Sequence, residues 1–241
     1  MRNFAVIGFP VKHSFSPDYF KEKFIQESIK DATYTAIEVA DISDIKQVVK
    51  THDLAGFNVT IPHKQTILPY LEGMSEAARV MGAVNTVTVR DGVLYGDNTD
   101  YIGFRKSVRS LLRSGFQSAL IFGTGGSSVA VKFALEQLGV LYSTVSRGKH
   151  ADYTYTDIDE EVLGENNLLI NTTPLGMDPK IDECIDIPYE FIHKRHICVD
   201  LIYNPEETLF LLKASERGAR VKSGLEMLQI QADESWKIWN S

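Results

Sequence analysis

The stretch SALIFGTGGSS at 118–128 runs an apolar strand pattern straight into a glycine-rich turn, and a helical pattern follows over 128–138. That setting, between strand and helix, is what gives the glycines meaning. Gly123 permits a tight turn. Gly125 and Gly126, with Thr124 and Ser127 between and beside them, let the backbone come close to a pyrophosphate held by the N–H groups of the helix start. Ser128 occupies the place of the third glycine in the strict motif.

Working outward, LYSTVS (141–146), NLLINTT (167–173) and HICVDLIY (196–203) read as further strands, and a helical stretch over 101–114 precedes the glycine turn. Strands alternating with helices predict a parallel sheet covered on both faces. The intervening 148–166 is too polar to predict a crossover helix, and a short or irregular connection is expected there. An NAD site places an acid at the end of the second strand, on the ribose hydroxyl. Here the strand ends at Ser146 and Arg147, with Lys149 just beyond. Two cations suit a 2′-phosphate, which favours NADP(H).

The first hundred residues have a different texture. FAVIGF (4–9), TYTAIEV (33–39) and GFNVTI (56–61) read as strands, and VNTVTVRDGVLYG (84–96) as a hairpin turning at Asp91 and Gly92. A helix over 17–29 gathers Phe20, Phe24, Ile25 and Ile29 on one face, with Ser16 as its N-cap and Pro17 in its first turn. Tyr19 and Lys23 match the Tyr-x-x-x-Lys pair of short-chain dehydrogenases, but they stand about 100 residues before the glycine turn instead of after it. They are therefore read as helix surface. A last helix over 224–239 carries Leu225, Leu228, Ala232 and Trp236 at helical spacing, and Trp236 and Trp239 predict a packed aromatic cap.

Bulk properties narrow the classes. The chain has 241 residues and a net charge of −7, which argues against nucleic acid or an anionic membrane as partner. No run of about 18 apolar residues predicts a membrane span, and the N-terminus lacks the pattern of a signal peptide. Cys184 and Cys198 form no metal-ligand pattern and read as reduced cytosolic thiols, so no metal and a cytoplasmic location are expected.

Three polar clusters in the first half resist explanation by packing. NVTIPHK (58–64) ends a strand in a proline turn that should expose Thr60, His63 and Lys64. GAVNT (82–86) places Asn85 at the start of a strand. GDNTD (96–100) ends a hairpin strand in hydrogen-bonding side chains. Three such clusters in one unit point to a site.

These motifs, together with GFPVKHSFSP (8–17), GDNTDYIG (96–103), NTTPLGM (171–177), DLIYNPEET (200–208) and GLEMLQIQA (224–232), resemble the shikimate dehydrogenase family almost end to end. The resemblance implies an α/β chain of two domains. The first is a substrate-binding catalytic domain of 1–101 and 224–241. The second is a Rossmann-like, doubly wound NADP-binding domain of 102–223, with the active site in the cleft between them. It implies NADPH-dependent reduction of 3-dehydroshikimate to shikimate by a monomer or homodimer. Lys64 and Asp100 would be the reacting pair, and Ser14 and Ser16 would hold the substrate carboxylate. Thr60, Asn85, Tyr203 and Gln231 would hold or neighbour the ring hydroxyls. The cofactor would meet Gly123, Thr124, Gly125, Gly126, Ser127, Arg147, Thr172, Leu201, Gly224 and Met227, with Glu76 at the cleft edge.

The chemistry fits independently, because hydride delivery to a ketone builds charge on oxygen that a nearby ammonium can neutralise and protonate. Asp100 beside Lys64 favours the charged lysine. Departures from the family pattern are Phe20 and Lys21 where a His-Asn pair is common, Ser146-Arg147-Gly148 for Asn-Arg-Thr, and a shortened 148–166. A quinate or dual-specificity dehydrogenase is the enzymatic alternative. A shikimate-binding relative without activity is the non-enzymatic one, and it would gain little from keeping both Lys64 and Asp100.

Overall fold

A computed structural model describes residues 1–11, 14–112, 118–148 and 150–241, so Lys149 lies outside the described residues. The chain divides into two compact units, Met1–Asp100 with Gln231–Ser241, and Tyr101–Ile230.

The first unit is built on β1 (Arg2–Gly8), α1 (Ser16–Gln26), β2 (Ala32–Glu38), α2 (Ile45–His52), β3 (Leu54–Val59), β4 (Gly73–Met74), α3 (Glu76–Met81), β5 (Thr86–Arg90) and β6 (Val93–Asp97). Its six strands run in the order β2-β1-β3-β5-β6-β4. β1 pairs parallel with β2 and β3, β5 runs antiparallel between β3 and β6, and β4 lies parallel to β6. The C-terminal ends of β1, β3, β4 and β6 and the start of β5 therefore share one edge. The hairpin turns at Asp91 and Gly92, both at positive φ (51° and 76°), as the Asp-Gly pair requires.

Ala5, Ile7, Phe57, Val87 and Leu94 pack with Ile45 and Val49 of α2 on one face of this sheet. Phe4 packs on the other face with Phe20 and Phe24 of α1 and with Ala232 and Trp239. Trp239 is core, as its helical pattern predicts: its indole N–H donates to the Val87 carbonyl (3.0 Å) and its ring stacks on Phe4.

Three expectations for α1 are corrected. Ser16 is not the N-cap: Phe15 occupies that place without a side-chain cap bond, and Ser16 is already helical. Ile25 is 71% exposed, because it falls a third of a turn away from the Phe20–Phe24 stripe. Tyr19 and Lys23 are not simply helix surface either. The Tyr19 hydroxyl donates to Asp233 Oδ1 (2.9 Å) and Lys23 Nζ lies 2.8 Å from the same oxygen, tying α1 to the C-terminal residues.

The second unit continues through α4 (Asp100–Arg109), β7 (Ser118–Phe122), α5 (Gly126–Leu138), β8 (Leu141–Val145), α6 (Glu160–Glu165), β9 (Leu168–Asn171), β10 (Ile197–Asp200), α7 (Leu209–Glu216), β11 (Arg220–Lys222) and into α8 (Leu225–Trp239). Its five strands are all parallel, in the order β11-β10-β9-β7-β8. Alternation along buried strands feeds two cores. Leu168, Ile170, Ile197 and Val199 pack with Phe104 of α4 and with Val131 and Leu135 of α5, while Leu169 and Cys198 face Leu163 of α6 and Phe210 of α7.

The described residues of the polar 148–166 hold the six-residue α6 and a short 3-10 turn. Its entry is pinned by Asp152, whose carboxylate accepts from the Thr144 N–H and hydroxyl at 2.7 Å each, and by the bridge Val145–Tyr153. No helix among the described residues is long and apolar enough to cross a membrane.

Candidate active site

Four segments of the first unit end at the shared edge of its sheet, and topology alone brings them together. Gly8 ends β1 and Thr60 follows β3, and a Cβ on Gly8 would meet Thr60 Cγ2 at 2.4 Å, so the two strand ends are in contact. Asn85 is bonded through its backbone on both sides: its C=O accepts from Val59 N (2.8 Å) and its N–H donates to Asp97 C=O (3.1 Å). Asp97 ends β6, and Asn98 then caps α4 by accepting from Asp100 N (3.0 Å).

Lys64 rides on the turn after β3, held by Val84 N donating to its carbonyl (2.8 Å). His63, expected to be exposed, is buried and is the anchor of that turn. Its Nε2 lies 2.6 Å from the Val39 carbonyl, which can only accept, so Nε2 carries the proton. The expectation failed because successive residues of a turn can face opposite ways, His63 inward and Lys64 toward Asp100.

At the centre of the cluster, Lys64 Nζ lies 2.6 Å from Asp100 Oδ2, with side chains 16% and 11% exposed. The Asn85 amide N–H donates to Asp100 Oδ1 (2.8 Å), to Thr99 Oγ1 (2.9 Å) and to Gln231 Oε1 (3.2 Å). One carboxylate thus carries an ammonium on one oxygen and an amide on the other, a fixed pair still open to a small molecule. Ser16 is buried, and Ser14 Oγ accepts from Ser16 N (3.4 Å). Glu76 stands exposed on the first turn of α3, at the same sheet edge. The cluster also holds Asn58, Thr86 and Ser235, to which the sequence reading gave no role. Their signal was a polar side chain inside an otherwise apolar strand or helix face.

In the second unit, every segment expected to hold a cofactor leaves the C-terminal edge of the parallel sheet. Gly123–Ser127 follow β7, Arg147 follows β8, Thr172 follows β9, Leu201 and Tyr203 follow β10, and Gly224 follows β11. The strand order reverses direction between β7 and β9, the switch point where such sheets bind ligands.

The residues there fit a dinucleotide. Gly123 has φ +108°, and a Cβ on it would strike Thr172 Oγ1 at 2.7 Å. A Cβ on Gly125 or Gly126 would meet nothing within 4 Å, so the start of α5 opens onto free space. Ser128, in place of the third glycine, is buried with its hydroxyl donating to Gly125 C=O (2.6 Å). Gly224 backs onto the Leu201 carbonyl so closely that a Cβ would lie 2.1 Å from it. Met227 is buried in the core beneath. Arg147 is exposed. Burial pushes the neighbouring Tyr155 phenol up, and the Arg147 charge works against that rise.

Comparison with known proteins is consistent along the whole chain. Residues 6–87 match the family described as shikimate dehydrogenase substrate binding domain. Shikimate dehydrogenase (NADP(+)) of Aquifex aeolicus is 38% identical over 248 residues, covering 98% of this chain and 90% of that protein. A crystal structure of shikimate dehydrogenase from the same species superposes with a TM-score of 0.88 at 38% identity, over 100% of this chain and 92% of that one. The enzyme of Thermus thermophilus, solved in complex with NADP(H) and shikimate, gives a TM-score of 0.87 at 30% identity, over 99% and 93%.

Proposed function

Since the chain belongs to the shikimate dehydrogenase family, we propose that its Lys64–Asp100 pair performs the proton transfer of that family's reaction. The activity is the reversible, NADP-dependent interconversion of 3-dehydroshikimate and shikimate, an oxidoreductase step of the shikimate pathway. The observation that carries the site assignment is the 2.6 Å contact of Lys64 Nζ with Asp100 Oδ2 at the sheet edge.

When bound, NADPH supplies the hydride that converts the ketone carbon to an alcohol. Lys64 then gives a proton to the oxygen on which charge develops, and Asp100 holds the lysine charged and aimed. Asp100, Asn85, Thr60 and Gln231 bind the ring hydroxyls and fix which carbon receives hydride, with Tyr203 nearby. Ser14 and Ser16 take the carboxylate. In the oxidation direction neutral Lys64 accepts the proton.

On the cofactor side we assign the pyrophosphate to the turn Gly123–Ser127 at the start of α5 and the 2′-phosphate to Arg147. Thr172, Leu201, Gly224 and Met227 line the remainder, with Glu76 at the rim. The substrate-binding domain is then 1–101 with 224–241, and the NADP domain 102–223. The free thiols Cys184 and Cys198 suit the reducing cytoplasm.

The test is shikimate oxidation followed by absorbance with NADP and with NAD, in wild type and in Lys64→Ala. The variant should lose about 10²–10⁴-fold in kcat, and NADP should be preferred. Undiminished kcat would remove Lys64 from the reaction. Quinate turnover above shikimate turnover would change the substrate.

A further inference from the structure

Beneath the reacting pair lies a buried layer of polar side chains that meets the site only through Asn85 and Gln231. Thr86, Thr99 and Ser235 are fully buried and Asn58 nearly so. Among the described residues, no buried side-chain nitrogen or oxygen lacks a partner, so this layer is completely satisfied. Such networks specify one geometry.

Donors and acceptors can be followed through it in one direction. Burial raises the Tyr34 phenol well above its ordinary value, so it remains an O–H donor. That hydroxyl donates to Asn58 Oδ1 (2.7 Å), which turns the Asn58 amide N–H groups the other way. They donate to Ser235 Oγ (2.9 Å), Thr86 Oγ1 (3.2 Å) and the Asn85 carbonyl (3.1 Å). Ser235 Oγ therefore accepts, and its own proton goes to Thr86 Oγ1 (2.8 Å), to the Gln231 carbonyl (2.9 Å) or to Thr99 Oγ1 (3.2 Å). The Thr86 hydroxyl donates to Asn85 Oδ1 (3.0 Å), the same oxygen that accepts Thr99 N–H (2.7 Å). With its oxygen committed there, the Asn85 amide presents N–H to Asp100. A reversed amide would set oxygen against carboxylate and N–H against N–H.

We propose that Ser235 is a positioning residue for the reaction: it joins the C-terminal helix to β3 and β5 and fixes the polarity of the Asn85 amide, and so the place of the Asp100 carboxylate and of Gln231. The network orients and does not conduct, since its two amides do not pass a proton along. Ser235 sits one helical turn beyond Gln231 and its hydroxyl lies 2.9 Å from the Gln231 backbone carbonyl, so both side chains leave the same face of the helix toward Asn85 and Thr99. Removing the hydroxyl takes one acceptor from the Asn58 amide and one partner from Thr86, and leaves the Asn85 oxygen held only by Thr86 and by Thr99, without the tie to the C-terminal helix.

This inference rests on the assignment of Asn85 and Asp100 to the active site, and a double-mutant cycle separates the two. The proteins are wild type, Ser235→Ala, Asn85→Ala and the double variant, with kcat and KM for shikimate and for NADP and the melting temperature measured for each. Ser235→Ala should lower kcat/KM for shikimate about tenfold, the loss expected for one misplaced hydrogen-bonded group, with KM for NADP within about twofold of wild type. In the Asn85→Ala background the same change should cost less than about twofold, because its target is gone. An equal loss in both backgrounds, or a lowered melting temperature with kcat/KM unchanged, would overturn the inference. Unchanged kcat/KM in Asn85→Ala alone would instead sink the site assignment. If Ser235→Ala does not fold, Tyr34→Phe, which removes the first donor without opening a large cavity, takes its place in the same cycle.

Discussion

Asp200 ends β10 fully buried, and every neighbour that bonds it is a donor. Asn171 Nδ2 reaches both carboxylate oxygens, Ile202 N–H reaches Oδ1 (3.0 Å), and the Thr208 hydroxyl reaches Oδ2 (2.7 Å). Those bonds favour the charged form, but burial outweighs them and pushes the carboxyl from its ordinary 3.8 up to about 6. A folded carboxyl with a raised value binds more protons than the unfolded one between those limits. Its contribution to stability is therefore complete below 3.8 and is lost as pH rises through 6. Asp200→Asn removes that dependence. Denaturant melts of variant and wild type at pH 4.5 and 7.5 should show the stability difference shifting by about 2 kcal/mol in the variant's favour at the higher pH. A difference independent of pH would mean that Asp200 is not held in this state. Single residues also mark how far sequence reading reaches. The meeting of Lys64, Asn85 and Asp100 was legible because each stands in a polar cluster at a strand end. Ser235 was not, because its one sign, a serine on an apolar helix face, says nothing of Asn58, Thr86 and Thr99 converging on it.

Elements were legible in proportion to their length and to the strictness of their turns. The hairpin of β5 and β6 could be placed because Asp-Gly is one of the few pairs that tolerate two positive φ angles. β4 and β11 have two and three residues, too few to show alternation, and were not anticipated. The start of α1 was misjudged because Ser-Pro resembles a cap, whereas the chain is already helical at Ser16. The β7–α5 turn was the most informative element, and it makes a sharp demand. At φ +108°, with Thr172 Oγ1 2.7 Å from where a Cβ would lie, only glycine fits at 123. Thr172 cannot easily retreat, since its N–H and hydroxyl both donate to the Phe122 carbonyl (2.9 and 2.8 Å). Gly123→Ala should therefore cost about 1–3 kcal/mol of stability and push the β7–α5 turn away from Thr172 at the end of β9. Steady-state kinetics should show KM for NADP raised severalfold while KM for shikimate stays near wild type. An unchanged KM for NADP would remove the turn from the cofactor site.

At the scale of the molecule, both sheets place their candidate ligand segments by the same rule. In each, the first three parallel strands run in the spatial order 2-1-3, and the segments leaving their C-terminal edge carry the polar side chains or glycines. That convergence was only partly legible, since sequence showed the parallel second sheet but not the mixed pairing that brings Asn85 beside Thr60 and Asp97. It does supply a way to test which unit takes which ligand. The chain has two tryptophans, Trp236 and Trp239, and both belong to the first unit, packed on Phe4 and near Phe20 and Phe24. Tryptophan fluorescence therefore follows the first unit, while far-UV circular dichroism follows both. A ligand at 100 times its Kd stabilises the folded unit that binds it by about 2.7 kcal/mol. With shikimate alone, the fluorescence midpoint of denaturant unfolding should rise. With NADP alone, the part of the dichroism transition not shared with fluorescence should move to higher denaturant and the fluorescence midpoint should move less. Fluorescence that responds to NADP and ignores shikimate would reverse the assignment of the two domains. A single transition moved equally in both signals by either ligand would show that the units unfold as one.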